Sequence, residues 1–173
     1  MAAAEVLILH GSPGSGKTTL ARALFEHLRV ADEPVAVIDP DELNLVHPAR
    51  GDGFWLQNLE LIWPNYTATA GVRAIIPTVI ADAEVFRRLR AALTAARFVV
   101  CELTAPVAVL KQRVRAREPN EEWKQALERW VDFYQQRDES QKFGDFEITT
   151  HDKSVDAAAA EIVARLGWPS RDA

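Results

Sequence analysis

A glycine-rich turn near the start of the chain constrains the fold more than any other stretch. The apolar residues 6–9 lead into it, and Gly11, Gly16, Lys17 and Thr18 fill every fixed position of the Walker A pattern G-x-x-x-x-G-K-[ST]. In this pattern a short loop joins a buried strand to the first turn of a helix. The stretch therefore predicts an α/β chain with a phosphate-binding loop directly after its first strand.

The residue types in this loop suit a nucleoside triphosphate. Glycines allow successive backbone N–H groups to point at phosphate oxygens, and the positive end of the following helix faces the same anion. Lys17 is expected to reach the β- and γ-phosphates, and the Thr18 hydroxyl is expected to coordinate Mg²⁺. The predicted nucleotide contacts are Gly11, Ser12, Pro13, Gly14, Ser15, Gly16, Lys17, Thr18 and Thr19.

The composition narrows the class of protein. With 173 residues the chain has the size of one domain, and its net charge of -5 gives no overall basic field, which argues against a long nucleic acid as substrate. Cys101 is the single cysteine, so no internal disulfide can form. No apolar run approaches the roughly 18 residues of a membrane span, and the first residues lack the pattern of a signal peptide. We therefore expect a cytoplasmic protein.

Two acids follow the second strand. Residues 18–29 have helical apolar spacing and residues 35–38 form an apolar strand, so the first part of the chain is a parallel βαβ unit. Asp39 and Asp41 then lie where open parallel sheets bind their ligands. Asp39 either starts a turn before Pro40 or has a catalytic or metal-ordering role. Asp41 either caps the next helix or accepts a proton from a hydroxyl nucleophile, and the second role is favoured.

Residues 41–70 are the expected acceptor-binding insertion. Residues 44–53 are loop-like, and residues 54–70 have helical periodicity in which Pro64 either kinks the helix or begins a second one. The alternative for each polar or aromatic side chain of this region is a place in the core or in solvent. The candidate acceptor contacts are Arg50, Trp55, Gln57 and Asn58.

The third strand gives no clear second metal ligand. Residues 72–76 form this strand, which is expected to end at Pro77 and Thr78. Asp82 follows a further apolar stretch. It is either an acid of the Walker B type or the N-cap of a helix over residues 83–95, and the cap is favoured.

A basic helix follows the fourth strand, which is predicted over residues 98–103. Pro106 opens the helix, and Arg113 and Arg117 share one of its faces because they are four residues apart. The two arginines either close over the transferring phosphates or form a solvated basic face. The first alternative is favoured, and we call residues 113–137 the lid region.

The helix predicted over residues 121–139 lies within the lid region. Large apolar residues recur in it at steps of four, three and four: Trp123, Leu127, Trp130 and Tyr134. This spacing favours a packing stripe over a platform for stacking bases. Arg129 and Arg137 are weaker candidates for the lid cluster.

The remaining chain is predicted to complete the sheet. Residues 145–150 form a fifth strand, and residues 155–166 form a last helix that Gly167 ends. None of the four histidines has metal-ligand spacing, so no zinc site is expected.

In this order, the motifs resemble those of the small P-loop kinases, a group that includes gluconate kinase, chloramphenicol phosphotransferase, adenylyl-sulfate kinase, shikimate kinase and the zeta-toxin kinases. The matching segments are the loop at 11–19, Asp-Pro-Asp-Glu-Leu at 39–43, the segment from Leu103 to Arg117, and the strand and helix after residue 145. The resemblance implies a three-layer α/β/α fold with a five-stranded parallel sheet in the order 2-3-1-4-5. It also implies ATP and Mg²⁺ as cofactors, and a monomer or homodimer.

The resemblance also implies roles for individual residues. The acid that accepts the proton of the acceptor hydroxyl maps onto Asp41, with Asp39 as the runner-up, and the lid arginines map onto Arg113 and Arg117. The turn after the fifth strand borders the adenine, which places three residues near the base: Thr150, His151 and Lys153. The chain departs from the family pattern at the third strand, which lacks an acid, and in the acceptor region, which matches no member closely.

The sequence thus predicts an ATP-dependent kinase for a small-molecule hydroxyl, with Lys17 and the lid arginines stabilising the transferred phosphoryl group. Its acceptor site is predicted to include Asp41, Arg50, Trp55 and Asn58. One alternative is a nucleotide-operated switch or simple NTPase, although the chain lacks an N/T-K-x-D guanine-reading motif. Another is a polynucleotide 5′-end kinase, which the acidic balance of the chain disfavours.

Overall fold

A parallel sheet of five strands forms the middle layer of the fold. The computed structural model describes residues 3–51, 53–137 and 142–169. Its strands are β1 (Ala4–Gly11), β2 (Val35–Val37), β3 (Arg73–Thr78), β4 (Ala96–Thr104) and β5 (Phe146–Thr149), in the order β2-β3-β1-β4-β5. This confirms the strand order that the resemblance implied, and it places the loop after β1 at the middle of the sheet's carboxyl edge.

Helices cover both faces of the sheet. They are α1 (Lys17–Val30), α2 (Pro40–Leu43), α3 (Phe54–Thr67), α4 (Ala83–Ala92), α5 (Val107–Arg117), α6 (Glu121–Gln135) and α7 (Val155–Leu166). On one face Ile8 packs in a cluster with Leu59 of α3 and Leu89 of α4. On the other face Leu7 packs in a cluster that contains residues of α1 and α7. Neighbouring residues of β1 point into opposite cores because side chains alternate along a strand, and three layers result.

Helices α5 and α6 form a pair with a small core of their own. Leu110 and Val114 of α5 are buried in one cluster with Val131 of α6. A salt bridge of 2.7 Å between Lys111 and Asp132 also connects the two helices. The pair therefore has its own packing, apart from the two larger clusters on the sheet.

Only half of the predicted packing stripe of α6 is covered. Tyr134 is buried and Leu127 is partly buried, but Trp123 and Trp130 are 62% and 45% exposed. The helix packs against α5, so the face toward α5 is covered while the two tryptophans lie outside it. Correct helical spacing thus identified apolar positions without telling which of them are covered.

Strand β3 runs through Pro77 to Thr78, two residues farther than predicted. Ile38 N–H donates to the Ile75 carbonyl at 3.0 Å, and the pairing of β2 with β3 ends there. Backbone N–H and C=O groups point to alternate sides along a strand, so the backbone of Pro77 faces the same side as that of Ile75. On that side β2 has already ended. The missing N–H of Pro77 therefore breaks no ladder hydrogen bond.

Three helix ends differ from the predicted ones. Helix α3 continues through Pro64 as one helix and ends at Thr67, whose hydroxyl donates to the Pro64 carbonyl at 3.2 Å. Helix α4 ends at Ala92, ahead of Ala95 with its positive φ of 60°. Helix α6 ends at Gln135, and its predicted end at residue 139 lies outside the described residues. Within the described ranges, no helix combines the length and apolarity needed to cross a bilayer.

Candidate functional site

The loop between β1 and α1 has the backbone that its glycines make accessible. Gly16 precedes α1 with a φ of 93° and Gly14 has a φ of 81°, a left-handed region that residues with a Cβ rarely adopt. A Cβ on Gly14 would lie 2.5 Å from the Leu110 carbonyl oxygen, so the loop also needs a glycine there to approach α5. The predicted glycine-rich turn is thus present, and it packs against α5, the helix that contains Arg113 and Arg117.

Lys17 lies in the cradle with its amine held by the loop itself. Its Nζ donates to the carbonyls of Gly11 at 2.8 Å and Ser12 at 3.2 Å. The pKa of Lys17 is lowered from 10.5 to about 8, mainly by burial and to a smaller extent by Arg117, although Asp41 and Asp39 oppose the shift. A buried amine near its titration point gains from a bound anion, because the anion restores the ammonium form.

The Ser15 hydroxyl supports an anion in this loop. Ser15 is fully buried, and its Oγ has no hydrogen-bond partner in the described part of the chain. An unpartnered buried hydroxyl is costly unless a ligand satisfies it. A phosphate oxygen in the cradle would be such a ligand, so the loop residues fit a nucleotide.

Asp39 connects the loop helix to the end of β2. Its Oδ2 accepts from the Thr18 hydroxyl at 3.4 Å, while its Oδ1 accepts from the Asp41 N–H at 3.0 Å. Asp39 is therefore the N-cap of α2, and the alternative that Asp41 caps this helix is wrong. Asp41 does not cap the helix; it is exposed, and its negative charge raises the pKa of Lys17.

The Thr18 hydroxyl and the Asp39 carboxylate fit a bound Mg²⁺. Both are hard oxygen donors, and Mg²⁺ usually binds through one or two protein groups together with waters and phosphate oxygens. In the described residues no group of three or more histidines, cysteines or acids forms a cage for a metal by itself. Asp82 is not part of this arrangement, since its carboxylate caps α4 by accepting from the Val85 N–H at 2.8 Å.

A cavity of about 320 Å³ opens on the other side of the loop. Its walls come from the loop, from α5, and from the segment between β5 and α7: Gly14, Ser15, Gly16, Thr19, Leu20, Arg113, Arg117, Thr150, Lys153, Ser154, Val155 and Ala158. Arg113 is fixed there, with Nη1 donating to the Thr150 hydroxyl at 3.0 Å and Nη2 to the Thr150 carbonyl at 2.8 Å. Arg117 lines the same cavity as an exposed residue.

The predicted base-binding residues divide in two. Thr150 and Lys153 line the cavity, and Lys153 also forms a salt bridge of 2.7 Å with Glu161. His151 is not among the lining residues of the described chain, and its Nε2 lies 3.1 Å from a carboxylate oxygen of Asp152. The sequence of the turn after β5 does not indicate which of its side chains point into the cavity.

The candidate acceptor residues do not converge on one point. Asn58 donates from Nδ2 to the Leu43 carbonyl at 2.7 Å and so ties α3 to α2. Trp55 packs against the core cluster between the sheet and helices α3 and α4. The Arg50 guanidinium lies 5.6 Å from the centre of the Phe54 ring. Gln57 is exposed. These contacts are structural, and the neighbouring helix α2 has two exposed acids, Asp41 and Glu42.

A group of buried polar residues next to the loop was not predicted from the sequence. His10 and Glu102 are neighbours on β1 and β4, and Tyr134 and Arg137 reach them from α6 and the residues after it. Arg137 is therefore held in a buried ion pair and is not available to the lid cluster, whereas Arg129 is exposed on α6. The available signal was His10, a polar residue directly before Gly11 at the end of an apolar strand.

Several solved structures share this fold at low sequence identity. The APS kinase CysC of Mycobacterium tuberculosis, solved in complex with AMPPNP and APS, has a TM-score of 0.70 at 21% identity, covering 96% of this chain and 99% of that one. The tunicamycin resistance protein of Deinococcus radiodurans has a TM-score of 0.65 at 22% identity, covering 96% and 98%. A gluconokinase from Sinorhizobium meliloti 1021 has a TM-score of 0.63 at 15% identity, covering 96% and 95%.

The sequence itself matches a family model. A search of the curated proteins finds no significant match. Residues 6–139, which include the loop, α5 and α6, match the family model described as an AAA domain. The chain therefore belongs to this AAA domain family and has the fold of the small P-loop kinases.

Proposed function

We propose that this protein is an ATP-dependent phosphotransferase that transfers the γ-phosphate to a hydroxyl of a small molecule. One observation carries the proposal: the phosphate-binding loop and its helix contact an acid-bearing segment and an arginine-bearing helix. The Thr18 hydroxyl contacts Asp39, two residues before Asp41, while Arg113 of α5 donates to the Gly14 carbonyl at 3.3 Å and Arg117 lines the cavity beside the loop. A phosphoryl group beside Lys17 would thus lie between an acid that can accept a proton and arginines that can stabilise negative charge.

Each group has a role in the transfer. The oxygen of the acceptor hydroxyl forms a bond to the γ-phosphorus, and Asp41 accepts the proton of that hydroxyl. At the same time the bond between the γ-phosphorus and the bridging oxygen breaks, and ADP leaves. Lys17 and Arg117 stabilise the charge on the transferred group, and Arg113 holds the loop against the turn after β5. Mg²⁺, held by Thr18 with Asp39, would neutralise phosphate charge.

The structural relatives support an acceptor of small size. They include an APS kinase with AMPPNP and APS bound, a shikimate kinase with shikimate bound, and a gluconokinase. Each of those proteins has a compact P-loop fold that this chain matches over at least 94% of its own length. The acceptor of this chain is proposed to bind beside Asp41, between α2, α3 and the lid region.

The test is an ATP-consumption screen over hydroxylated metabolites, nucleosides, antibiotics and oligonucleotide 5′ ends. Asp41→Asn should reduce transfer about a hundredfold or more while nucleotide affinity stays within about twofold, because only the proton acceptor is lost. Glu42→Gln is the matched control, since Glu42 is the exposed acid next to Asp41 in the same helix. Full transfer by Asp41→Asn with none by Asp39→Asn would move the base to Asp39. ATP turnover that no acceptor stimulates would favour a switch or NTPase.

A further inference from the structure

A buried polar cluster connects α6 to the strand that precedes the phosphate-binding loop. We call His10, Glu102, Tyr134 and Arg137 the β1–α6 cluster. His10 is 0% exposed, and Glu102 and Tyr134 are each 5% exposed. The Tyr134 Oη lies 2.7 Å from His10 Nε2 and 3.1 Å from Glu102 Oε1, so one hydroxyl contacts both strands.

Both ring nitrogens of His10 have hydrogen-bond partners. The Ile80 N–H donates to His10 Nδ1 at 3.0 Å. Two side chains contact Nε2, the Tyr134 hydroxyl at 2.7 Å and the Arg137 Nη1 at 3.0 Å, and the Tyr134 hydroxyl also donates to Glu102. Burial and the nearby Arg137 lower the pKa of His10 to about 3, which keeps the ring neutral.

An ion pair closes the cluster. Arg137 Nη2 donates to Glu102 Oε1 at 2.6 Å, with both side chains less than a tenth exposed. The guanidinium carbon lies 3.4 Å from the centre of the Tyr134 ring, within cation–π range. Glu102 thus accepts from a neutral and a charged donor, which satisfies a carboxylate that burial would otherwise penalise.

The position of the cluster suggests its purpose. Among the described residues, neither large core cluster contains an apolar residue of α6, whose buried apolar contacts are with α5. The connection of α6 to the sheet therefore includes Tyr134 as a principal polar contact. His10 is followed directly by Gly11, whose carbonyl accepts from the Lys17 amine at 2.8 Å.

We propose that Tyr134 is a positioning residue for phosphoryl transfer: through His10 it fixes the end of β1, and with it the Gly11 carbonyl and the Lys17 amine, relative to α6. This inference rests on the proposed function, since it states that a residue of the lid region holds the phosphate-binding lysine in place through hydrogen bonds. The path runs from Tyr134 Oη to His10 Nε2, along one residue of backbone to Gly11, and from its carbonyl to Lys17. Small displacements of a charged group cost more in the transition state than in binding.

Tyr134→Phe tests the inference because it removes the hydroxyl and keeps the ring beside Arg137. We expect kcat to fall about tenfold, and the slow hydrolysis of ATP without acceptor to fall by a similar factor, with nucleotide affinity within about twofold. Tyr66→Phe is the matched control: its hydroxyl has no hydrogen bond within the described residues, and the variant should retain the wild-type kcat. An unchanged kcat and hydrolysis rate in folded Tyr134→Phe would overturn the inference.

Two further variants separate positioning from stability. Leu89→Val removes a methylene group from a buried residue of α4 outside the β1–α6 cluster, so we expect a lower melting temperature with kcat within about twofold. A loss of kcat equal to that of Tyr134→Phe would assign the effect to stability and overturn the inference. If Tyr134→Phe does not fold, His10→Asn replaces it, because the Asn oxygen can accept from Ile80 but does not reach Tyr134. The same tenfold loss is expected, and a wild-type kcat would refute the inference.

If the screen finds no acceptor for the wild-type protein, the proposed function fails while the inference remains testable. ATP hydrolysis without acceptor then provides the readout, since it uses Lys17 in the same way. A tenfold loss of hydrolysis in Tyr134→Phe with unchanged nucleotide affinity would support the inference. Equal hydrolysis in the two proteins would refute it.

Discussion

The affinity for ATP should fall as the pH rises above 8, because the Lys17 ammonium binds phosphate and the neutral amine does not. Burial lowers the pKa of Lys17 to about 8 in the empty site. About nine-tenths of the amines are therefore charged near pH 7 and about one-tenth near pH 9. The apparent Kd should rise about tenfold over this interval, equivalent to about 1.4 kcal/mol.

The assay is equilibrium titration with a fluorescent ATP analogue at constant ionic strength. Ionisation of the terminal phosphate strengthens binding as pH rises, so a loss of affinity cannot come from the nucleotide. Lys17→Arg is the control, because arginine stays charged over the whole interval, and its Kd should be nearly flat. A wild-type Kd that changes less than about twofold, or an equally steep Lys17→Arg curve, would refute the assignment of Lys17.

Three further predictions concern stability and metal dependence. Lys17→Met should stabilise the nucleotide-free protein against urea by about 1–3 kcal/mol near pH 7, and this gain should fade as pH rises from 8 toward 10.5, where the wild-type amine becomes neutral in both states. Gly14→Ala should lower the free energy of unfolding by about 2–4 kcal/mol, because the new Cβ would clash with the Leu110 carbonyl. Gly51→Ala should lower it by only about 1 kcal/mol, because Gly51 also has a positive φ but has open space around it. Equal losses would show that the clash with Leu110 does not contribute. Asp39→Asn should raise the Mg²⁺ concentration at half-maximal activity about tenfold or more with the N-cap preserved, and an unchanged Mg²⁺ dependence would separate Asp39 from the metal.

The phosphate-binding loop could be predicted from sequence because its determinants are local. Gly16 and Lys17 specify a backbone turn and a side chain within a few residues of each other. The caps Asp82 and Ser154 are local in the same sense, since each accepts from an N–H three residues later. Such features need no knowledge of what packs against them.

The β1–α6 cluster could not be predicted because its members are distant in sequence. His10 and Tyr134 are 124 residues apart, and neither has a spacing motif that identifies the other. The exposed tryptophans of α6 show a related limit: periodicity placed Trp123 and Trp130 on a face, and tertiary packing decided that this face is open. Asp39 and Asp41 share one motif, and their different contacts arise from α2, which is only four residues long.

Transfer of a labelled phosphoryl group would show directly whether the protein is a phosphotransferase. The protein would be incubated with γ-¹⁸O-ATP, Mg²⁺ and a pool of small hydroxylated metabolites, and the products would be analysed by mass spectrometry. We expect an organic product that carries the labelled phosphate, made by the wild-type protein and by Glu42→Gln but not by Lys17→Ala or Asp41→Asn. Label found only in inorganic phosphate, or an organic product still formed by Lys17→Ala, would contradict this expectation.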